Sequence, residues 1–237
     1  MKKMYFNWST GKDAALALYF LQKENSFIVD HLLISVNNSI NRVSMHGLSR
    51  ELMKVQLDSV GLDYSTVELP EEPSMEQYAQ LMTEAVSKLK NEGYQNTGFG
   101  DIFLEDLRKY REKNLGALGI KCHFPLWKNN THELMNQFVD LGFKAVVISI
   151  NATKLDQSFC GREINSEFIA DLPQGVDPCG ENGEFHTFCY DGPIFNKAIR
   201  FKRGKQVFKS YKNPSSKNDE KEDSEIGFWF QDLILQE

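Results

Sequence analysis

A chain of 237 residues is long enough for one large domain, or a main domain with a smaller companion, and needs no disulfide or metal staple to build a core. Hydrophobic residues make up 41% and charged residues 25%, an ordinary balance for a water-soluble globular chain and not that of a disordered or fibrous one. The net charge of −6 argues against broad attraction to nucleic acid or an anionic membrane, and no apolar run is long enough to predict a transmembrane helix.

The predicted elements alternate through the first 151 residues. A short buried strand over 4–8 replaces the apolar core that a signal peptide would need, and a helix follows over 12–23. Residues 30–37 read as a second strand, 48–60 as a helix stopped by Gly61, and 65–69 as a strand. A long helix over 74–91 starts on Ser74 as N-cap and ends before Gly93. Strands at 96–100, 122–127 and 144–151 are separated by helices at 104–118 and 131–141. This alternation predicts an α/β fold, a parallel sheet with helices on both faces.

The rhythm breaks after Asn151. A helix over 163–172, strands at 197–203 and 206–211 turning about Gly204-Lys205, a polar mobile loop over 212–225 and a strand over 228–235 predict a smaller α+β domain. The expected division is therefore residues 1–151 and 152–237. The four cysteines, Cys122, Cys160, Cys179 and Cys189, form no C-x-x-C pair and suit free thiols in a reducing cytoplasm.

Chemistry concentrates in two segments. Ser9-Thr10-Gly11-Lys12-Asp13 joins the first strand to the first helix, where backbone amides can receive phosphate oxygens and Lys12 adds a point charge. A Walker loop is ruled out, because Phe6 stands at its first glycine and Asp13 at its magnesium-binding hydroxyl. Asp13 either caps the helix or holds a cation, and a plain polar turn is the alternative for the whole loop.

The second segment runs from Asp177 to Thr187. Pro178, Gly180 and Gly183 impose an irregular backbone, with Glu181, Glu184, His186 and Thr187 supplying polar groups. Glu184 and His186 share a face if this stretch is a strand. Cys179 is open to a nucleophilic role or to that of a small buried thiol.

The first segment resembles the S-G-G-x-D-[ST] pyrophosphate loop (PP-loop) of N-type ATP pyrophosphatases, with Thr10 in place of a glycine and Ala14 in place of the final hydroxyl. With Gly180–Thr187 as a G-E-x-G-E-x-x-T pattern, the Gly100-Asp101-Ile102 stretch followed by Arg108 and Glu112, Trp127, and the Ser44-Met45-His46 loop, nearly the whole chain resembles the diphthine–ammonia ligase family. The Glu-Phe-His-Thr segment and the compact C-terminal part look like those of a bacterial-type relative.

The resemblance implies an adenine nucleotide alpha hydrolase-like fold and cleavage of ATP to AMP and pyrophosphate. In the namesake reaction a carboxylate on a modified histidine of elongation factor 2 is adenylated, and ammonia then forms the amide. ATP would be a substrate, contacted by Ser9, Thr10, Gly11, Lys12 and Asp13, by Ser35 beside the base, and by Met45. Mg2+ would be held by Asp13 and Asp101. Lys12, Glu184 and His186 would be catalytic. His46, Arg108, Glu112, Arg162, Glu181, Gly183 and Thr187 would face the acceptor.

The residues alone leave other readings in place: helix capping for Asp101, an exposed ion pair for Arg108 and Glu112, an exposed cation for Arg162 and a structural role for His46. The expected partners are a small-molecule or protein carboxylate and an ammonia donor, with no membrane or nucleic acid, and a homodimer left open. A tRNA sulfur-transfer enzyme using the same loop and a non-catalytic ATP or AMP sensor are the rival functions.

Overall fold

Successive side chains of a strand face opposite sides of its sheet. In β1 (Lys2–Asn7), Met4 and Phe6 enter one hydrophobic core and Tyr5 enters another. Strand β2 (Phe27–Asn37) repeats the division, with Leu32, Ile34 and Val36 on the first side and Leu33 on the second. The first side is covered by α1 (Lys12–Lys23) and α2 (Arg50–Val60), through residues such as Leu18, Leu52 and Leu57. The second is covered by α3 (Met75–Asn91) and α4 (Glu105–Ala117), through Val86, Leu89 and Leu115. Helices thus cover both faces. The computed structural model describes residues 1–38, 42–43, 48–212 and 225–236.

The first sheet is completed by β3 (Arg42–Val43), β4 (Asp63–Leu69), β5 (Asn96–Gly98) and β6 (Lys121–His123). Its parallel strands lie in the order β4-β2-β1-β5-β6, and β3 pairs antiparallel with the end of β2. The chain winds outward from β1 through β2 to β4, then returns to lay β5 and β6 on the other side of β1. The strand order therefore reverses between β1 and β5, the place where open α/β sheets form a crevice at their carboxyl ends.

Local signals set the helix ends. Ser74 and Gln77 form a capping box at the start of α3, Ser49 accepts from Leu52 at α2, and Asn130 accepts from Glu133 at α5 (Thr131–Asp140). Gly61 ends α2 in the left-handed region at φ 72°.

The second sheet is antiparallel, in the order β8-β7-β10-β9. It comprises β7 (Lys144–Asn151), β8 (Phe185–Asp191), β9 (Phe201–Lys212) and β10 (Glu225–Leu235), with α6 (Ser166–Asp171) beside it. Three expectations are corrected here. The strand 144–151 belongs to this sheet and not to the parallel one, so the change of sheet falls before residue 144. The two strands expected about Gly204-Lys205 are one continuous strand, β9. The helix expected over 163–172 is confined to α6, and Glu163 instead bridges to Val146. Strand β8 had no counterpart in the sequence reading. Most of the loop expected over 212–225 lies outside the described residues.

Helix α1 lies between the two sheets. Lys12, Ala14, Ala15, Leu16, Ala17, Leu18 and Leu21 are all buried, so it is covered nearly all round. One continuous core joins Met4 and Phe6 of β1 to Val146 and Ile148 of β7, Phe188 of β8 and Leu233 of β10.

Candidate active site

The loop after β1 enters the crevice with a strained backbone. Thr10 has φ 71°, a region that disfavours β-branched residues, and is fully buried. Its carbonyl oxygen accepts from the Cys189 amide at 2.9 Å and from Gln56 Nε2 at 2.9 Å. Its hydroxyl oxygen has no hydrogen-bond partner. Gly11 then caps α1 with no side-chain bond, and Ser9 is partly exposed.

Across the crevice, Gly100 follows β5. A Cβ there would stand 2.9 Å from the Ala14 nitrogen and 2.9 Å from the Asp13 carbonyl carbon, so only glycine lets the start of α1 approach this closely.

Lys12 joins the two segments singled out by the sequence. It is only 2% exposed; its Nζ donates to Asp13 Oδ1 at 2.7 Å, to Asp13 Oδ2 at 2.8 Å and to the Cys179 carbonyl at 2.5 Å. Its backbone N–H donates to Thr187 Oγ1 at 3.1 Å. Burial works against the ammonium charge, but Asp13, with help from Cys179 and Glu181, outweighs it and raises the Lys12 pKa.

The segment 177–187 folds over this lysine. Glu184 Oε1 accepts from the Asp177 amide at 3.2 Å and from Asn182 Nδ2 at 3.2 Å, whereas its buried Oε2 has no hydrogen-bond partner. Gly180 and Gly183 take left-handed conformations at φ 70° and 81°. Glu181 reaches back across the crevice, where its Oε1 accepts from the Ile102 amide at 2.8 Å. Burial, reinforced by the negative charges of Asp13 and Asp101, pushes the Glu181 carboxyl up to about 7 despite the Ile102 bond and Lys12. Asp13 is likewise raised, first by burial and then by Asp177. His186 is lowered to about 4 by burial and by the Lys12 charge, so it is neutral at pH 7.

Asp101 neither caps α4, whose N-cap is Leu104 with no side-chain bond, nor stands free. Arg111 Nη2 donates to its Oδ1 at 3.1 Å, and Arg111 Nε stands 3.0 Å from Oδ2 as an ion pair without an aligned hydrogen bond. The Arg111 guanidinium also lies over the Phe99 ring, 4.3 Å from its centroid. Asp13 does not cap α1 either, because Lys12 engages its carboxylate.

Lys12, Asp13, Asp101, Glu181, Glu184, His186 and Thr187 therefore gather where β1, β5 and the start of β8 meet. Other expected residues lie apart. Ser35 faces α3, its hydroxyl 3.8 Å from Met82 Sδ. Arg108 and Glu112 form an i,i+4 ion pair at 2.9 Å on α4, with Arg108 stacked on Phe124 and Trp127. Arg162 pairs with Asp171 at 2.7 Å beside Phe159 and Phe168. Met45 and His46 lie outside the described residues.

Two contributors were not singled out in the sequence, Gln56 and Arg111, and Asp177 opened the second segment without being given a role of its own. Asp177 Oδ2 accepts from the Glu181 amide at 2.9 Å. The available signals were a glutamine on the apolar face of α2, a second arginine three residues after Arg108, and the acid that opens the Pro178 turn.

Burial works against the thiolate form at every cysteine. Burial raises Cys160 to about 12 and pushes Cys179 and Cys189 well above the usual thiol range, while Cys179 Sγ donates to the Thr131 carbonyl at 3.5 Å. Among the described residues no helix is long and apolar enough to cross a membrane.

A doubly wound parallel sheet with a strained loop and a helix N-terminus at its switch point, roofed by an acidic segment that leads into a second sheet, defines an α/β fold with a crevice at the carboxyl ends of its strands. Residues 1–122 match the diphthamide synthase N-terminal domain and residues 130–216 the diphthamide synthase C-terminal domain. The chain belongs to the diphthamide synthase family.

Among curated proteins, it is similar to the diphthine–ammonia ligase of Bos taurus, 29% identical over 102 residues that cover 40% of this chain and 38% of the relative. The diphthine–ammonia ligase of Schizosaccharomyces pombe is 27% identical over 157 residues, covering 64% of this chain and 25% of the relative. The chain thus spans less than two-fifths of the length of these relatives. A solved structure described as a predicted subunit of tRNA methyltransferase from Methanocaldococcus jannaschii overlays with a TM-score of 0.38 at 14% identity, covering 66% of this chain and 82% of that one. That overlay is too slight to bear on function.

Proposed function

We propose that this chain is an ATP-dependent ligase that activates an acceptor carboxylate as its adenylate and joins it to ammonia, as the names of its diphthine–ammonia ligase relatives suggest. The observation that carries the reading is Lys12. One buried residue bonds both to the nucleotide-type loop and to the acidic segment, so the two motifs form one site.

ATP phosphates fit at the start of α1, where the helix N-terminus offers partial positive charge and Lys12 adds a full one. The acceptor carboxylate oxygen attacks the α-phosphorus, the bond to the bridging oxygen breaks, and pyrophosphate leaves. Ammonia nitrogen then attacks the acyl carbon, AMP leaves, and a base takes the surplus proton. Glu181, whose carboxyl is poised near neutrality, suits that base better than Glu184, which clips its own loop, or His186, which is too weakly basic.

Asp13 and Asp101 are hard oxygen donors, as Mg2+ requires, and would hold the ion in exchange for their present partners Lys12 and Arg111. When bound, the ion would neutralise phosphate charge. The buried thiols disfavour sulfur transfer, since that route needs a thiolate. Labelled ATP, ammonia and diphthine-bearing elongation factor 2 test the proposal. AMP and pyrophosphate are expected, with carboxylate 18O appearing in AMP, and ADP with phosphate would sink it. Lys12→Ala should lower ATP affinity at least tenfold by isothermal titration; unchanged affinity would remove Lys12 from the phosphate site.

A further inference from the structure

Helix α2 carries a polar seam within an apolar face. Gln56 and Ser59, three residues apart and so neighbours on the helix surface, are both buried, at 0% and 1% exposure, beside Leu52, Met53, Leu57 and Val60. A buried primary amide must place its donors and acceptor deliberately, because each unmet group carries a desolvation cost. The two residues spend their hydrogen bonds very differently.

Gln56 reaches three chain segments at once. Its Oε1 accepts from the Trp8 indole Nε1 at 2.9 Å, at the end of β1. Its Nε2 donates to the Thr10 carbonyl at 2.9 Å and to the Cys189 carbonyl of β8 at 2.5 Å. Cys189 returns a bond to the same Thr10 carbonyl, from its amide at 2.9 Å. Two residues earlier on β8, Thr187 receives the Lys12 amide at 3.1 Å. The carbonyl of the one strained residue in the loop is therefore held from two sides, and one of those holds is the Gln56 side chain. Ser59, by contrast, serves only the segment after β8: its hydroxyl donates to the Lys197 carbonyl at 2.5 Å and accepts from the Lys197 amide at 3.1 Å.

We propose that Gln56 is a positioning residue for nucleotide binding, fixing the left-handed Thr10 carbonyl and thereby setting the path by which the loop enters the first turn of α1 at the crevice. It touches neither phosphate nor acceptor. The oriented amide links α2, the loop and β8, so the loop geometry and the register of the roofing strand are set together. The inference rests on the ATP-binding reading above.

The test compares Gln56→Met, which keeps length and loses every polar contact, with Ser59→Ala, which disturbs the same buried seam away from the loop. ATP affinity of the full chain is measured by titration with a non-hydrolysable analogue, and folding by the thermal midpoint. Gln56→Met should weaken ATP binding roughly tenfold or more, since small misplacements of binding groups are costly, with the loss appearing in KM for ATP more than in kcat. Ser59→Ala should lower the midpoint but leave ATP affinity within about twofold, the scale of a change remote from the site.

If Gln56→Met does not fold, Trp8→Phe removes the donor that orients the amide, and it should lower ATP affinity more than Ser59→Ala does at a comparable midpoint. Gln56→Met or Trp8→Phe binding ATP like the wild type, or Ser59→Ala losing as much affinity, would overturn the proposal. If the wild type bound no nucleotide, or Lys12→Ala bound it normally, the ATP reading itself would fail, and that outcome is distinct from the others.

Discussion

Thr10 shows how a single residue can record a conflict between fold and function. A β-branched residue at φ 71° is strained, and its hydroxyl is buried with no hydrogen bond. Thr10→Gly removes both penalties, while the greater freedom of glycine in the unfolded chain takes some of the gain back. Left-handed strain of this kind costs about 1–3 kcal/mol, so the variant should be more stable by about 1 kcal/mol in a denaturant titration. A loss of stability would mean that the Thr10 methyl packs better than its backbone conformation suggests.

Glu181 gives the same lesson through pH. Its folded carboxyl is raised from 4.5 to about 7, so the folded state holds a proton that the unfolded state has released between those values. Its contribution is fully present below 4.5 and is lost as pH rises through about 7. Glu181→Gln keeps an acceptor for the Ile102 amide and has no such loss. The variant should gain up to about 3 kcal/mol over the wild type at pH 8 relative to pH 4. His186 works in the opposite direction, losing stability as pH falls from 6.5 towards about 4. The wild-type profile is therefore flatter than either group alone would make it, and the Glu181→Gln minus wild-type difference isolates one of them. A difference independent of pH would refute the raised carboxyl. Acceptor-dependent turnover of the variant should fall even as its stability rises.

At the scale of elements, the parallel half was legible because its signals are local. Ser74 with Gln77, Gly61 and the apolar spacing of α2 announce helix ends and faces without tertiary help. The antiparallel half was less legible because its decisive contacts are remote. Ala145 to Ile150 is an unbroken apolar run, and such a run looks alike in either kind of sheet.

Gly204-Lys205 reads as a turn, yet Gly204 sits inside β9 where β10 shifts register between Gln231 and Leu233. A Cβ at Gly204 would meet the Asp232 side chain at 3.2 Å, so this glycine marks a close approach at a bulge. The site follows the same rule. Lys12, Glu181 and Thr187 stood out through local motifs, whereas Gln56 and Arg111 act on partners 46 and 10 residues away in sequence.

Gly100 is the element-scale test. Its missing Cβ permits α1 to sit against the end of β5, and a methyl there would meet backbone atoms that cannot rotate aside. Gly100→Ala should destabilise the fold by about 1–3 kcal/mol and weaken ATP binding, because the first turn of α1 must retreat from the crevice. Normal affinity together with normal stability would show that the helix start can shift without consequence.

At the scale of the whole molecule, two family domains share one interior. The core that begins at Met4 and Phe6 continues through α1 to Val146, Phe188 and Leu233 as one cluster. Lys12, its Thr187 contact and the Gln56 bonds cross the same boundary. Exposing either sheet would strip apolar cover from α1, at about 25 cal/mol for each Å² uncovered. The two halves should therefore unfold in one transition.

Tryptophans allow a direct test, because Trp8 ends the first parallel strand and Trp229 lies in β10. With Trp127 replaced by Phe throughout, one variant keeps only Trp8 and another keeps only Trp229. To allow for differences in stability between the variants, each fluorescence midpoint is compared with the far-ultraviolet circular dichroism midpoint of the same protein. Coincidence within each variant is the expected result, with the fluorescence and backbone midpoints of the same protein moving together on adding ATP. A fluorescence midpoint that departs from the backbone midpoint of the same protein, with or without ATP, would show that the sheets fold independently and that the shared core does not couple them.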